Sequence, residues 1–402
     1  MTRTTGTPAT ANPLAFLDEA LDSLRAEGLY RKLRILDGEQ KPRATFDGRE
    51  VINLSSNNYL GLTTHPKLRE AAIRAVKELG AGSGSVRTIA GTMDLHMELE
   101  RKIAAFKKTE ASVVFQSGFT ANAGTVSSLL GKEDLILSDE LNHASIIDGA
   151  RLSRATIRVF PHKDVNALKS LLEETSSVKR RLVITDGVFS MDGDIAPLRE
   201  IAALAREHGA IMMVDDAHAS GVLGKNGRGT IDHFGVHGQV DIQVGTLSKA
   251  VGVLGGYVCG TKSLIDYLYH RARPFLFSTS HPPAVAAACL AAFEVLEDEP
   301  ERIERLWSNT RRFRAGLQRV GFDTGQSETP IIPILVGEAD RAMKLSDRAF
   351  ERGVFAQGIG YPTVAKGRAR LRTIVTATHT EEELDKALEI LGDAARGLGI
   401  LS

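Results

Sequence analysis

The sequence predicts an α/β fold: a large domain with a mostly parallel sheet covered by helices, followed by a smaller C-terminal α+β domain. Two observations carry this. From about Ser112 onward, short β-branched runs alternate with helix-period segments, the strand-like runs being Ser112–Phe115, Leu135–Ser138, Ile157–Phe160, Leu182–Thr185, Ile211–Val214, Ile242–Gly245 and Gly256–Cys259. Apolar runs separated by amphipathic helices are the pattern of βαβ units, whose strands are buried on both faces. Beyond Pro282 the pattern changes to long helical segments with only two strand-like runs.

In chain order, Met1 to Pro13 is rich in Thr and Ala and lacks the apolar stretch of a signal peptide, so it reads as a loose tail. Leu68, Ala72, Ala75, Val76 and Leu79 share one helical face, as do Leu95, Leu99, Ile103 and Phe106. Within the alternating region, Pro197 opens a helix with apolar residues at Leu198, Ile201, Leu204 and Ala205, and Gly209 closes it. The C-terminal part contains helical patterns at Ala284–Glu297, Arg302–Arg319 and Arg341–Arg352, and strand-like runs at Ile331–Val336 and Leu371–Thr376. A capping box, Thr380 to Glu383, starts the closing helix, which buries Leu384, Ala387, Leu388 and Leu391. The expected division is an N-terminal segment over 1–60, a large domain over 61–290 and a small domain over 291–402.

Composition removes several classes of function. The 402 residues carry 50 Lys+Arg against 50 Asp+Glu, which leaves no excess positive charge to neutralise a nucleic-acid backbone. Cys259 and Cys289 are the only cysteines, too few for a zinc cluster or a disulfide scaffold, so a reducing, cytoplasmic setting is expected. The longest apolar stretch, Ala284 to Phe293, is about half the length of a membrane span.

The glycine cluster Gly80–Gly84 follows a helix and not a strand, so it lacks the context of a dinucleotide loop. Ser190, in Gly187-Val-Phe-Ser-Met-Asp-Gly193, does not have the spacing of a serine-hydrolase elbow. More informative is Val214-Asp215-Asp216-Ala217-His218, an apolar strand running into two carboxylates and a histidine where open α/β sheets bind ligands. Gly245-Thr246-Leu247-Ser248-Lys249-Ala250 is a second strand, ending in a lysine. Alone, each has a bland explanation, a turn cap in one case and a solvated charge in the other. Together they point to pyridoxal 5'-phosphate, which needs a lysine amine for its aldehyde and a carboxylate to keep its pyridine nitrogen protonated. Gln116-Ser117-Gly118-Phe119, between a strand and an amphipathic segment, offers backbone N–H groups to the phosphate.

These residues resemble the α-oxoamine synthases, a family of fold-type-I pyridoxal-phosphate enzymes, from about Leu21 to Leu398. The most specific stretches are Ser56-Asn-Asn-Tyr-Leu-Gly-Leu62, Asp139-Glu-Leu-Asn-His-Ala-Ser-Ile146, Thr185-Asp-Gly-Val-Phe-Ser-Met-Asp-Gly193, Val214–His218 and Gly245–Ala250. The resemblance implies that Lys249 forms the Schiff base and takes the substrate α-proton, while Asp215 pairs with the pyridine nitrogen. It implies that His143 stacks on the ring and serves as a donor to the developing oxyanion, that His218 bonds the phenolic oxygen, and that Ser190 lies beside the cofactor. Thr246 and the Gly118–Phe119 backbone would hold the phosphate, with Ser278 reaching the neighbouring subunit's cofactor in a homodimer with shared sites. Asn57 and Arg372 would bind the substrate carboxylate, with no metal. Arg370, two residues from Arg372 on the same expected strand face, is an alternative to it, and Thr279 and Ser280 are alternatives to Ser278.

The implied reaction condenses an amino acid with an acyl-CoA. Ser85–Thr92 and Asn142–Gly149 are similar to the glycine C-acetyltransferase branch, whereas Thr246–Gly256, with Ser248 before the lysine, is similar to 8-amino-7-oxononanoate synthases. The first expectation is therefore glycine with acetyl-CoA, giving 2-amino-3-oxobutyrate. Alanine with pimeloyl-CoA, or both activities, comes second. A reading of a different class takes Asp215, Asp216 and His218 as ligands of a hydrolytic metal, and it lacks a second cluster to complete the site.

Overall fold

The computed structural model describes residues 12–27, 30 and 32–402; the tail read over Met1–Pro13 lies outside them as far as residue 11. Three short N-terminal strands come first, β1 (Leu36–Asp37), β2 (Arg43–Phe46) and β3 (Arg49–Asn53). The seven anticipated strands follow as β4 (Ala111–Phe115), β5 (Leu135–Asp139), β6 (Thr156–Phe160), β7 (Arg181–Asp186), β8 (Ile211–Asp215), β9 (Ile242–Thr246) and β10 (Gly256–Gly260). Together they form one sheet in the order β4-β10-β9-β8-β7-β5-β6, parallel except for β10, which runs antiparallel to both neighbours. This is a fold-type-I architecture. Strands β5, β7, β9 and β10 are buried along their whole length, as their uninterrupted apolar runs require. β6 is an edge strand, and Val159 is 59% exposed on it.

The C-terminal part adds β11 (Ile331–Gly337), β12 (Val354–Phe355), β13 (Gln357–Ile359) and β14 (Ala369–Ile374). β11, β14 and β13 form a three-stranded antiparallel sheet, while β12 pairs in parallel with β3, about 300 residues earlier. Ile52 and Leu54 accordingly share a core with Phe313, Leu317 and Leu345. The closing helix, Glu381–Gly397, has the capping box, with Thr380 Oγ1 accepting from the Glu383 amide and Glu383 Oε2 accepting from the Thr380 amide.

The helix Pro66–Leu79 buries Leu68, Ala71 and Ala75 against Pro283–Asp298, which turns two residues of the expected inner face, Val76 and Leu79, outward. Pro283–Asp298 itself crosses position 290 without a break. We propose drawing the boundary between the large and small units after this helix, in place of 290/291. Among the described residues no helix is long and apolar enough to cross a membrane.

Candidate active site

The parallel strands end in a row of polar residues, Asp139 on β5, Asp186 on β7, Asp215 on β8 and Thr246 on β9. Asp186 and Asp215 are register partners, so two carboxylates stand side by side at the sheet's carboxyl edge. Burial, reinforced by Asp215, holds the Asp186 carboxyl well above its usual pKa, and Asp186 Oδ2 accepts from the His143 amide at 2.9 Å. Asp215 is positioned from both sides. Its Oδ2 accepts from Asn122 Nδ2 at 2.6 Å and its Oδ1 from the Ala217 amide at 2.8 Å. Asn122 Nδ2 also bonds Ser145 Oγ, which in turn contacts His143 Nδ1 at 2.8 Å, so one polar chain links Asp215 to His143.

Lys249 lies in the loop after β9. Burial lowers its pKa to about 8, against the pull of Asp215 and Asp186, which act at a distance without a direct hydrogen bond. An amine so placed is neutral far more often than an ordinary lysine. His218 Nδ1 meets Tyr59 Oη at 2.7 Å, and burial, followed by Lys249 and Arg372, keeps this histidine neutral. Burial likewise lowers the pKa of His143.

Asp216 faces the other way. Adjacent strand residues point to opposite faces, and Asp216 Oδ2 accepts from Lys107 Nζ at 2.9 Å in the core, with Oδ1 held by Thr230 Oγ1 at 2.5 Å. Burial alone would favour loss of the Lys107 proton, but Asp216 outweighs it. The carboxylates of Asp215 and Asp216 therefore do not converge with His218 on one ion, and among the described residues no group of three or more His, Cys, Asp or Glu is arranged to hold a metal. Lys107→Met is expected to destabilise the fold by about 3–5 kcal/mol, because it strands a buried carboxylate; a urea midpoint within error of the wild type would show that the pair is dispensable.

The two arginines of β14 both reach the turn at 190–192, as strand alternation requires, but with different partners. Arg370 is engaged by Asp192 at 2.5 Å and by the Met191 carbonyl at 3.0 Å. Arg372 donates to the Ser190 carbonyl at 2.5 Å and approaches Asn57 Oδ1 at 3.4 Å, neither of them an anion. Arg372 is thus the cation with charge to offer a ligand.

At the helix Gly118–Leu129, Ser117 caps the Thr120 amide, and the amides of Gly118 and Phe119 donate to no group among the described residues. A Cβ on Gly118 would stand 3.5 Å from Thr246 Cβ, so the helix start and the end of β9 form one cradle. Thr246 Oγ1 sits 2.7 Å from Ser248 Oγ. A buried, readily deprotonated lysine, a braced carboxylate and an anion cradle at a helix N-terminus are the donor set that pyridoxal 5'-phosphate needs.

Residues 49–391 match the family described as aminotransferase class I and II. The chain belongs to this family. It is 62% identical over 387 residues to the 8-amino-7-oxononanoate synthase of Symbiobacterium thermophilum, covering 96% of this chain and 99% of that one. It is 58% identical to the 8-amino-7-oxononanoate synthase 1 of Bacillus subtilis, over 96% and 98% of the two chains. Among solved structures, a serine palmitoyltransferase from S. paucimobilis with bound PLP and myriocin superposes with a TM-score of 0.92 at 32% identity, covering 96% of this chain and 98% of that one. The 8-amino-7-oxononanoate synthase from Francisella tularensis superposes with a TM-score of 0.74 at 30% identity, over 86% and 98%. This family member is an α-oxoamine synthase, a pyridoxal-phosphate-dependent C-acyltransferase.

Sequence reasoning missed three residues of this family site: Asn122, which holds Asp215; Tyr59, which holds His218; and Asp186, which holds His143. Tyr59 and Asp186 lay inside stretches that carried the resemblance, whereas Asn122, in the middle of an unremarkable helix, gave no signal.

Proposed function

We propose that the chain is an 8-amino-7-oxononanoate synthase, condensing alanine with a pimeloyl thioester and releasing the thiol and carbon dioxide. The observation that carries this reading is the set of full-length relatives at 53–62% identity that bear that name. It replaces the first expectation, glycine with acetyl-CoA, which rested on two short stretches, Ser85–Thr92 and Asn142–Gly149. Neither stretch contacts the end of an acyl chain by any argument from sequence, so they were poor guides to its length. A cavity of about 270 Å³ opening off Arg372, with Phe46, Met191, Phe355 and Ile359 in its walls, also suits a chain longer than acetyl.

Bound pyridoxal 5'-phosphate supplies an aldehyde that captures the amino group and a protonated ring that withdraws electrons from the substrate's α-carbon. In this reading Lys249 binds the cofactor and later, as a free amine, takes the α-proton, for which a pKa near 8 is suitable. Asp215, braced by Asn122, would hold the proton on the ring nitrogen. If Tyr59 donates to Nδ1, His218 carries its proton on Nε2 and would donate it to the phenolic oxygen. His143 would lie against the cofactor and would donate to the thioester oxygen as charge develops there. Arg372, with Asn57, holds the carboxylate, and Ser190 lines the site. The amides of Gly118 and Phe119, with Thr246, hold the phosphate. The new carbon–carbon bond would join the α-carbon to the thioester carbonyl as the thiolate leaves; the bond to the carboxylate would then break, releasing carbon dioxide, and the α-carbon would take back a proton.

The same reading includes a homodimer with shared sites. Ser280 Oγ is engaged inside its own chain, with the Gly91 carbonyl at 2.5 Å and Ser83 Oγ at 2.8 Å, which leaves Ser278 and its neighbour Thr279 as the residues to reach the partner's phosphate. Phe277 beside it is 69% exposed, and Phe119 at the cradle is 45% exposed, as befits surfaces covered by a second copy.

Measuring kcat/KM for the two substrate pairs by thiol release tests the proposal. Burying the five methylenes of the pimeloyl chain at about 0.8 kcal/mol each is worth up to roughly a thousandfold. Alanine with pimeloyl-CoA is therefore expected to exceed glycine with acetyl-CoA by at least about tenfold, and the reverse order would restore the glycine reading while leaving the cofactor in place.

A further inference from the structure

His162, at the end of β6, has no part in the chemistry above, yet both of its ring nitrogens meet buried carboxylates. Nδ1 lies 2.9 Å from Asp139 Oδ1 and Nε2 lies 2.9 Å from Asp194 Oδ2. A neutral imidazole has only one N–H, so two carboxylate contacts require both nitrogens to be donors. Burial opposes this charge, but the two aspartates outweigh it and lift the pKa to about 9. Lys163 reinforces the bridge, its Nζ 3.0 Å from Asp194 Oδ2 and its amide 2.9 Å from Asp139 Oδ2, with Glu328 at 3.9 Å from the same ammonium. Glu140 Oε2 accepts from the His162 amide at 3.4 Å.

The bridge joins two parts of the active site. Asp139 begins the turn that leads to His143, accepting from the Leu141 amide at 2.9 Å. Asp194 closes a tight hairpin, in which Val188 bridges Ile195 and the Phe189 amide donates to the Asp194 carbonyl at 3.1 Å. The His162 ring packs edge-on against Phe189 with centroids 4.3 Å apart. The tip of that hairpin carries the Ser190 carbonyl that accepts from Arg372 and the Asp192 carboxylate that engages Arg370.

We infer that His162 is a positioning residue, whose bridge between Asp139 and Asp194 fixes the 188–195 hairpin so that Arg372 is presented to the substrate carboxylate. The inference rests on Arg372 as the carboxylate-binding residue. A charge-assisted bond lost from such a bridge corresponds to roughly a tenfold effect or more.

His162→Ala and His162→Gln, compared as holoenzymes with Arg372→Ala, test it. Both His162 variants are expected to raise the KM for alanine about tenfold while kcat and the KM for the acyl thioester stay within about threefold. Nitrogen-15 NMR of the wild-type chain should show both His162 ring nitrogens protonated at pH 7.5, a readout independent of activity and of how the variants fold. An unprotonated ring nitrogen overturns the bridge. Unchanged alanine KM in the His162 variants, with Arg372→Ala raising it, overturns the positioning role alone. Unchanged alanine KM in Arg372→Ala overturns the carboxylate assignment and the inference with it.

Discussion

Lys249→Ala is expected to abolish turnover while the chain folds as before. In the proposed reading its amine both binds the cofactor's aldehyde and takes the α-proton, so the loss should be on the order of 10⁴ or more. Borohydride treatment of the wild type should fix the cofactor to the peptide containing Lys249, and the variant should give no such peptide. A cofactor fixed to another lysine would remove the assignment. The lowered pKa adds a test on the wild-type apo chain. Only the neutral amine attacks an aldehyde, and with a pKa of about 8 its neutral fraction rises as pH increases through that value. Cofactor uptake should therefore speed up from pH 7 to pH 8 and level off above about 9, whereas an ordinary lysine with a pKa of ~10.4 would still be gaining at pH 10.

Asp215→Ala should lower kcat by on the order of 10³, the scale found when a charge-stabilising contact is removed from a buried site. The variant leaves the Asn122 amide and the Ala217 amide without their acceptor. Asp215→Asn, which keeps the volume and removes the charge, separates the two causes. If the proton on the ring nitrogen is what matters, both variants lose similar activity and the alanine KM barely moves. Activity within about tenfold of the wild type in Asp215→Asn would assign Asp215 a packing role only.

The cofactor was legible in the sequence alone. A lysine and an aspartate at the carboxyl ends of two apolar strands have chemistry specific enough to name the cofactor, and the surrounding stretches narrow the family. The substrate pair was less legible because glycine and alanine differ by one methyl, worth ~1–3 kcal/mol. The cavity beside Arg372 draws Phe46, Met191 and Ile359 from three separate stretches, none of which contributed to the first choice.

By itself the sequence determined the seven strands of the large sheet, the helices that alternate with them, and the identity of the cofactor. These are local matters: periodicity is read within one segment, and a residue's functional group does not depend on its neighbours. The tertiary structure decided what each charged group meets. Asp215 and Asp216 are equivalent on paper, but one meets Asn122 and the other meets Lys107 in the core. Arg370 and Arg372 share a strand face, yet Asp192 engages only the first. His162 gave no signal until β5, β6 and the 188–195 hairpin brought two carboxylates to its ring. The pairing of β3 with β12 was equally hidden, since a two-residue strand has no period to read and its partner lies about 300 residues away. Which charge a buried side chain finds depends on contacts between remote segments, and those exist only once the chain has folded.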